Sequence, residues 1–398
     1  MKSNWNSGVL GDFLEVKGGK RLPKGVQLQT EPNTHPYVRI RDITSKKYLE
    51  LNNEYEYVDD ETQKTIARYI VNSGDVIISI VGTIGLVGII GESLDNANLT
   101  ENCAKLINVR ELDREFLYYY LLSPAGREEI HKGTVGAVQP KLPIKNIQAI
   151  KINFPSFEEQ KKIAGVLAAI DAKIAMNEEI NKNLEQQALS IFSQEFLSFD
   201  GNLPEGWKEG NLLDIADYLN GLAMQKFRPK DGEDGIPVLK IKELRQGSCD
   251  ASSELCSPSI KPEYIVHDGD VIFSWSGSLL VDFWCGDTCG LNQHLFKVTS
   301  KSYDKWFYYA WTNYHLAKFV ALAADMATTM GHIKREELAK SEVLIPSDTD
   351  YERIGSLLQP IYDLIITNRI ENRKLSTLRD ELLPQLMSGS IDLSEVVI

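Results

Sequence analysis

Two stretches of the chain place apolar residues at alternating steps of four and three, a pattern typical of a long helix packed along a partner helix. In the first stretch, Ser156 to Phe196, these positions run from Ile163 to Ile191. In the second, Ser347 to Met387, they run from Ile354 to Leu382, each 191 residues after its counterpart. Both stretches are therefore predicted to be helices, each extending ~60 Å at the usual rise per residue.

We call each series of positions at these steps the seam of its helix. Both seams are interrupted near mid-helix by a pair of asparagines. Asn177 and Asn181 in the first stretch match Asn368 and Asn372 in the second. A polar residue on a helix-pairing seam costs stability but fixes the register of the pair. We therefore predict that these four residues set the register of a buried helix pair, with exposed polar spacers as the alternative.

The connection between the two helices indicates their relative direction. A globular region precedes each helix, and only residues 198–206 join the first helix to the second globular region. To lie along the first helix, the second must therefore run back along it. We expect an antiparallel coiled-coil pair with a pseudo-two-fold axis near the asparagines.

The two globular regions are predicted to share one fold, because short sequences recur between them. Trp5 and Gly19 recur as Trp207 and Gly221, and the segment Gly74-Asp-Val-Ile recurs at Gly269. Short β-branched runs bounded by Gly, Pro or Asp indicate strands. The prediction is an α+β protein with two similar, mostly β domains, divided as follows: 1–155 first domain, 156–200 first helix, 201–346 second domain, and 347–398 second helix and tail.

Size and composition fit an ordinary globular protein. The chain has 398 residues, of which 43% are hydrophobic and 25% charged. No apolar run reaches the ~18 residues that a membrane span needs, and no signal-peptide pattern opens the chain. We therefore expect a cytoplasmic protein without a membrane partner. Five cysteines, an odd number, do not suggest a disulfide framework.

The net charge of −13 argues at first against a nucleic-acid partner. Its distribution changes this interpretation, because residues 1–155 carry 19 basic and 19 acidic side chains. Much of the excess negative charge falls instead in the two helical stretches and their tails. The globular regions can therefore still present basic faces.

Several segments together resemble a known family over the full length of the chain. They are the doubled Trp–Leu–Asp opening, the strand starting Pro36-Tyr-Val-Arg-Ile-Arg, the segment Ser73-Gly-Asp-Val-Ile, and the passage Asn153-Phe-Pro-Ser-Phe-Glu-Glu-Gln-Lys-Lys-Ile. In these features the chain is similar to the DNA-specificity subunits of type I restriction–modification systems. One departure is Thr349-Asp-Tyr-Glu-Arg-Ile, which lacks the glutamine of Glu159-Gln160.

The resemblance implies two target-recognition domains, two spacer helices and an asymmetric, bipartite target in double-stranded DNA. It also implies methyltransferase subunits, two of them, and restriction/translocase subunits as partners. No methylation motif, nucleotide-binding loop or metal-carboxylate nuclease set occurs in the sequence, so we expect no catalytic residues, no cofactor and no enzyme activity of its own. The alternatives are a scaffold for protein partners and a self-contained bipartite modification enzyme.

Candidate DNA contacts include two groups of basic residues. Loop lysines and arginines suit phosphates, although a solvated loop is the alternative. Alternating basic residues on one strand face suit guanine, although surface salt bridges explain them equally well. The loop residues are Lys17, Lys20, Arg21, Lys24, Lys226, Arg228 and Lys230, and the strand residues are Arg39, Arg41, Lys240 and Lys242.

Hydroxyl and amide residues on turn-like segments form a third group of candidates. Packing or a flexible surface loop is the alternative for these, and glutamine can pair with adenine through two hydrogen bonds. The residues are Ser79, Thr83, Ser274, Ser276, Thr134, Gln139, Lys141, Thr328, Thr329, His332 and Lys334.

Two further clusters are interpreted as structural. Cys249, Cys256, Cys285, Cys289 and His294 have spacings that fit a zinc site only loosely, and the first domain has no counterpart, so no metal is predicted. Three consecutive tyrosines starting at Tyr118 fit a buried helix face better than a base-stacking surface.

Overall fold

The computed structural model describes residues 5–44, 46–199, 201, 203–325, 333–391 and 393. The chain divides into two compact units, one formed by Met1–Ala175 with Leu375–Ile398 and the other by Met176–Lys374. Each long helix contributes one segment to each unit. The two units are therefore described separately.

The first unit is built mainly from short strands. Its strands are β1 Asn6–Val9, β2 Glu15–Gly18, β3 Pro36–Val38, β4 Tyr48–Leu49, β5 Glu56–Tyr57, β6 Ile70–Val71, β7 Val76–Ser79, β8 Val87–Ile90, β9 Ala97–Leu99, β10 Cys103–Ile107 and β11 Lys151–Phe154. Its helices are α1 Leu10–Phe13, α2 Asp60–Ile66, α3 Arg114–Leu122, α4 Pro124–Gly133, α5 Ile144–Gln148 and the start of α6 Phe157–Phe196.

The second unit has a similar order of elements, but its described residues include no counterparts of β4 and α2. Its strands are β12 Lys208–Asn211, β13 Asp217–Asn220, β14 Ile236–Leu239, β15 Leu255–Cys256, β16 Ile265–Val266, β17 Val271–Ser274, β18 Leu280–Phe283, β19 Cys289–Leu291, β20 Leu295–Thr299 and β21 Glu342–Ile345. Its helices are α7 Leu212–Ile215, α8 Ile241–Gln246, α9 Lys305–Tyr314, α10 Leu316–Asp325, α11 Arg335–Ala339 and α12 Asp348–Met387, of which α12 ends in the first unit.

Strand order confirms that the two units share one α+β frame. One sheet runs β2-β10-β7-β8-β4 in the first unit and β13-β20-β17-β18 in the second. A second sheet runs β5-β3-β9-β6 in the first unit and β15-β14-β19-β16 in the second, with its central pair parallel in both. The strand before each long helix pairs with the first strand of its unit, as β1-β11 and β12-β21.

Two predicted elements are shorter than the sequence suggested. The strand expected to continue through Arg41 ends at Val38, because the Arg39 amide donates to the Asp42 side chain at 2.7 Å and starts a short 3-10 helix. The apolar sequence from Phe116 predicts one buried helix that continues to His131, but the structure has two helices there. Ser123 separates α3 from α4 by accepting from the Gly126 amide, with a proline at the first position of α4.

The two long helices begin and end close to where the heptads predicted. Both contain 40 residues, α6 from Phe157 and α12 from Asp348. Ser156 with Glu159 and Thr349 with Glu352 have the spacing of capping boxes, so the sequence predicts Ser156 and Thr349 as the caps. Ser156 does accept from the Glu159 amide, whereas α12 is capped two residues earlier than expected, by Ser347 accepting from the Asp350 amide.

The segments of α6 and α12 pack on each other within each unit, in opposite directions. In the first unit, Ile163 and Leu167 share a core with Leu383 and Leu386. In the second unit, Phe192 and Phe196 share a core with Ile354 and Leu358. Early positions of α6 thus meet late positions of α12 in the first unit, and late positions of α6 meet early positions of α12 in the second. Within the second unit, Asn177 pairs with Asn372 and Asn181 with Asn368, which is the antiparallel order.

Candidate nucleic-acid interface

The first basic loop leaves β2 and crosses closely over the turn between β9 and β10. Gly19 donates to the Cys103 carbonyl at 2.9 Å, and a Cβ on Gly19 would lie 2.0 Å from the Thr100 carbonyl oxygen. In the second unit, the Gly221 amide donates to the Leu295 carbonyl, and a Cβ on Gly221 would lie 2.3 Å from the Asn292 carbonyl oxygen. A repeated glycine thus lets two backbone segments touch and places the basic loop at a fixed point in each unit.

The basic residues of the first loop are exposed. Lys20 lies 5.5 Å from the Tyr69 ring centroid, and Arg21 pairs with Glu101 at 2.7 Å while its side chain remains 81% exposed. Lys17 pairs with Glu15 on the edge of β2, and Lys24 is exposed near the tip of the loop. These ion pairs are at the surface, where they contribute little and can be exchanged for a phosphate.

The basic loop of the second unit presents a different set of side chains. Lys226, Arg228 and Lys230 are all exposed, and Arg228 pairs with Glu254 at 2.8 Å. Phe227 between them is 37% exposed. The two units therefore hold their basic loops at the same position of the frame but with different surface chemistry.

Four basic residues that the sequence placed on strand faces are engaged with carboxylates. Arg39 and Arg41 both contact Glu56, and Arg41 also donates to the Glu54 carbonyl at 2.9 Å. In the second unit Lys240 contacts Glu254, and Lys242 contacts Asp250 and Ser252. Hydrogen bonds from Ser252, Gln246 and Lys242 lower the pKa of Asp250. These contacts agree with surface salt bridges, the alternative to guanine recognition for these four residues.

Three serines proposed as contacts are buried and serve their own turns. Ser79 is 0% exposed, and its hydroxyl donates to the Thr83 carbonyl while accepting from the Leu86 amide. Ser274 is 0% exposed and donates to the Ser278 carbonyl at 2.9 Å. Ser276 is 2% exposed, and its hydroxyl oxygen lies 3.3 Å from Nδ1 of His294. In this conformation their hydroxyls shape the loops and do not face a ligand, whereas Thr83 is exposed.

The segment from Thr134 to Lys141 forms a closed surface loop after α4. Its ends are joined by two backbone hydrogen bonds of 2.9 Å between Val135 and Lys141. Gln139 and Lys141 are exposed, and the Thr134 hydroxyl donates to the Ile130 carbonyl. In the second unit Lys334 is exposed, while Thr328, Thr329 and His332 lie outside the described residues.

The seam asparagines form a buried cluster in the second unit. Asn177 and Asn181 are 0% and 6% exposed, and Asn368 is 7% exposed. The side-chain amide of Asn177 donates to the Asn372 side-chain oxygen at 2.8 Å and to the Glu371 carboxylate at 2.7 Å. The side-chain amide of Asn368 donates to the Asn181 side-chain oxygen at 2.9 Å. Buried amides with specific partners can define one register of the two helix segments.

Sequence reasoning missed the ion pairs that join the helices to their own units. In the first unit, Asp171 accepts from Arg379 at 3.1 Å and from the Tyr119 hydroxyl at 2.6 Å. Burial and this carboxylate raise the pKa of Tyr119. One sequence feature could have indicated this ion pair: Arg379 stands at a seam position, where most other residues are apolar.

Arginines of α12 make equivalent attachments in the second unit. Arg369 donates to Asp282 at 2.5 Å and to Glu185 at 3.0 Å. Arg373 donates to Asp268 through two nitrogens, at 2.8 and 2.9 Å. These contacts tie the helix segment to β18 and to the turn before β17.

The cysteines do not form a metal site among the described residues, where no group of three or more potential ligands is found. All five thiols are free. Hydrogen bonding by the Cys289 thiol lowers the pKa of Cys249, whereas burial and then the interaction with Cys249 raise the pKa of Cys289. No described helix is long and apolar enough to span a bilayer.

A family model described as the type I restriction modification DNA specificity domain matches residues 2–186 and again residues 204–377. The chain belongs to this family. It is similar to the MjaIX type I specificity subunit of Methanocaldococcus jannaschii, with 24% identity over 99% of this chain and 95% of the relative. It is also 20% identical to the HindI specificity subunit of Haemophilus influenzae, over 98% and 100% of the two chains.

Among solved structures, this chain is similar to the S subunit of a type I restriction–modification system from M. genitalium. The TM-score is 0.61 at 15% identity, covering 97% of this chain and 96% of the other. This likeness supports the fold alone. Type I specificity subunits are non-catalytic components of restriction–modification complexes, and they work with the other subunits and DNA.

Proposed function

We propose that the protein reads an asymmetric, bipartite sequence in double-stranded DNA, with one domain for each half-site. The observation that carries this proposal is the repeated frame, matched twice by the family model, with different exposed side chains on its basic loops. A shared frame gives both domains one way of approaching DNA, whereas different loops favour different bases. The proposed domains are residues 1–155 and 201–346, with 156–200 and 347–398 as spacers.

The proposed contact surface consists of the exposed candidates. In the first domain Lys17, Lys20, Arg21 and Lys24 would contact phosphates, and in the second Lys226, Arg228 and Lys230 would do so. Thr83, Gln139, Lys141 and Lys334 would contribute at neighbouring loops. The strand-end residues Arg39, Arg41, Lys240 and Lys242 remain candidates only if DNA displaces their carboxylate partners. We do not include the buried Ser79, Ser274 and Ser276, which would position the loops.

We further propose that the paired helices set the spacing between half-sites and hold the catalytic partners. DNA presents equivalent groove positions about every 34 Å along one face, a distance that helices of this length could span. The partners would be two type I methyltransferase subunits and the restriction/translocase subunits. Because the whole chain is acidic, DNA affinity is expected to depend on the assembled complex and to fall steeply with salt.

The test is co-expression of the chain with its cognate methyltransferase subunits, followed by sequencing of methylated positions in host DNA. The proposal expects one two-part motif with different halves and a fixed gap. A variant in which residues 1–155 are replaced by a second copy of the 201–346 domain should methylate a motif with two identical halves.

Two outcomes would contradict the proposal. Methylation by the chain without the other subunits would indicate a self-contained modification enzyme. Normal assembly of the complex, with neither selective binding nor methylation of any sequence, would indicate a scaffold for proteins only.

A further inference from the structure

The loop from Val135 to Lys141 presents an apolar side chain far into solvent. Val138 at its tip is 94% exposed, whereas most exposed large apolar side chains in the described residues are 37–61% exposed. Exposing a β-branched apolar residue so fully contributes nothing to the folded state of the chain itself. A single exposed apolar side chain is common on protein surfaces, so the significance of Val138 depends on the chemistry of the residues around it.

The base of this loop is fixed at both ends. Leu142, only 1% exposed, lies in the core of the first unit and donates its amide to the Ile80 carbonyl at 2.9 Å. At the other end, Asn146 donates to the Gly133 carbonyl at 2.7 Å. Gly136 has a φ of +97°, and a Cβ there would lie 2.7 Å from the Gln139 carbonyl oxygen. The base of the loop is therefore held in place before any partner arrives, which reduces the ordering cost of binding.

The side chains around the tip combine apolar and basic chemistry. Val81 and Val135 each form a bridge with Lys141, so a lysine lies between two valines across three neighbouring segments. Residues directly opposite each other in such pairings project to the same face. Both valines are partly exposed, at 38% and 42%. This surface offers a cation for a phosphate beside apolar groups.

DNA fits this combination better than an apolar protein groove does. The 5-methyl group of thymine is the apolar group that the major groove displays, and small apolar side chains contact it. Gln139 follows Val138 directly, and its amide suits the adenine of the same kind of base pair. Side chains that wedge between bases from the minor groove are generally longer than valine. These considerations favour the major groove.

We propose that Val138 is a specificity-determining residue that contacts a thymine methyl group in the half-site read by the first domain. This inference rests on the proposed DNA-reading function and adds one base preference to it. Val138 would distinguish thymine from bases that lack the methyl group, while Lys141 would hold a neighbouring phosphate without distinguishing bases.

The test uses the assembled complex and its methylated motif, with each thymine of the first half-site replaced in turn by deoxyuridine. This replacement removes only the methyl group. The wild-type complex should bind about three- to tenfold more weakly at one position, on the scale of a single lost base contact. The Val138→Ser complex should bind the thymine and deoxyuridine versions of that position equally, and its affinity for the thymine version should match that of wild type for deoxyuridine.

Val320→Ser provides a matched control, because Val320 is also an exposed valine, at 47%, but lies on α10 in the second unit. This control complex should retain the full preference for thymine. The inference is overturned if neither strand of the half-site contains thymine, if the wild type ignores deoxyuridine at every position, or if Val138→Ser keeps the preference. Failure of the proposed function is a separate result, since the wild-type complex would then select no sequence at all.

Discussion

At the scale of single residues, the repeated glycines have different physical causes. Gly74 and Gly269 have φ values of +82° and +83°, which side chains other than glycine adopt at a cost. Gly19 and Gly221 do not have a positive φ, and there the limitation is space for a Cβ against a carbonyl oxygen. The sequence predicted that these positions matter through their recurrence, but it could not distinguish the two causes.

Gly19→Ala is expected to destabilise the first unit by about 3 kcal/mol, because the new Cβ must displace backbone and not a flexible side chain. Gly25→Ala is the control: Gly25 has a φ of +88° but no atom within 4 Å of its Cβ position. That substitution should cost about 1 kcal/mol, from backbone conformation alone. Urea unfolding of both variants measures the difference, and equal losses would contradict the steric explanation.

The second residue-scale prediction concerns the thiols of the second unit. The hydrogen bond with Cys289 lowers the pKa of Cys249, so its thiolate fraction at pH 7.5 exceeds that of an ordinary cysteine. Burial raises the pKa of Cys256 and Cys285 to about 11 and that of Cys103 to about 12. Brief iodoacetamide treatment followed by mass spectrometry should therefore find Cys249 alkylated first.

The control for this prediction is Cys289→Ala, which removes the hydrogen-bond donor. Labelling of Cys249 should slow at pH 7.5 and recover at pH 10, because its pKa returns upward and the thiolate then forms only at higher pH. Faster labelling of any buried cysteine than of Cys249, or an unchanged rate in the variant, would show that the pairing does not control reactivity.

At the scale of elements, long periodic segments were predicted well and short ones poorly. The α6 and α12 boundaries lie within one residue of the heptad limits, because many seam positions define them together. The strand after Pro36 was predicted too long, because a single hydrogen bond from the Arg39 amide to Asp42 ends it. The face alternation inferred for Arg39 and Arg41 therefore does not apply. Local capping of this kind has no periodic signal in the sequence.

The element-scale prediction concerns the buried amides of the helix pair. Asn181→Leu removes the acceptor for the Asn368 side chain, which should cost about 1–3 kcal/mol because a buried donor loses its partner. Replacing both residues by leucine should recover most of this loss, since two apolar groups then meet on the seam. Unfolding of the wild type, both single variants and the double variant gives the coupling energy, and simple additivity would contradict the pairing.

At the scale of the whole molecule, the duplication and the family were predictable because similar segments recur in order along the full chain. The candidate interface was predictable only in part. Both basic loops lie at equivalent places in their units, but which hydroxyls are exposed depends on turns such as that formed by Ser79. The full exposure of Val138 could not be predicted, because no recurrence or charge distinguishes it from other valines in the sequence.

The last prediction follows from the proposal that the paired helices set the spacing of the half-sites. Removing residues 172–178 and 371–377 together deletes one heptad from each helix and keeps the seam in phase. The helix pair should shorten by about 10 Å, which corresponds to about 3 base pairs of DNA. Sequencing of methylated positions should therefore find the same two half-sites with a shorter gap. Removing four residues from each helix is the control, because it breaks the seam and should abolish the methylated motif. A heptad-deleted complex that methylates the original motif with an unchanged gap would rule out a spacing role for the helices, even if the two domains still read their own half-sites.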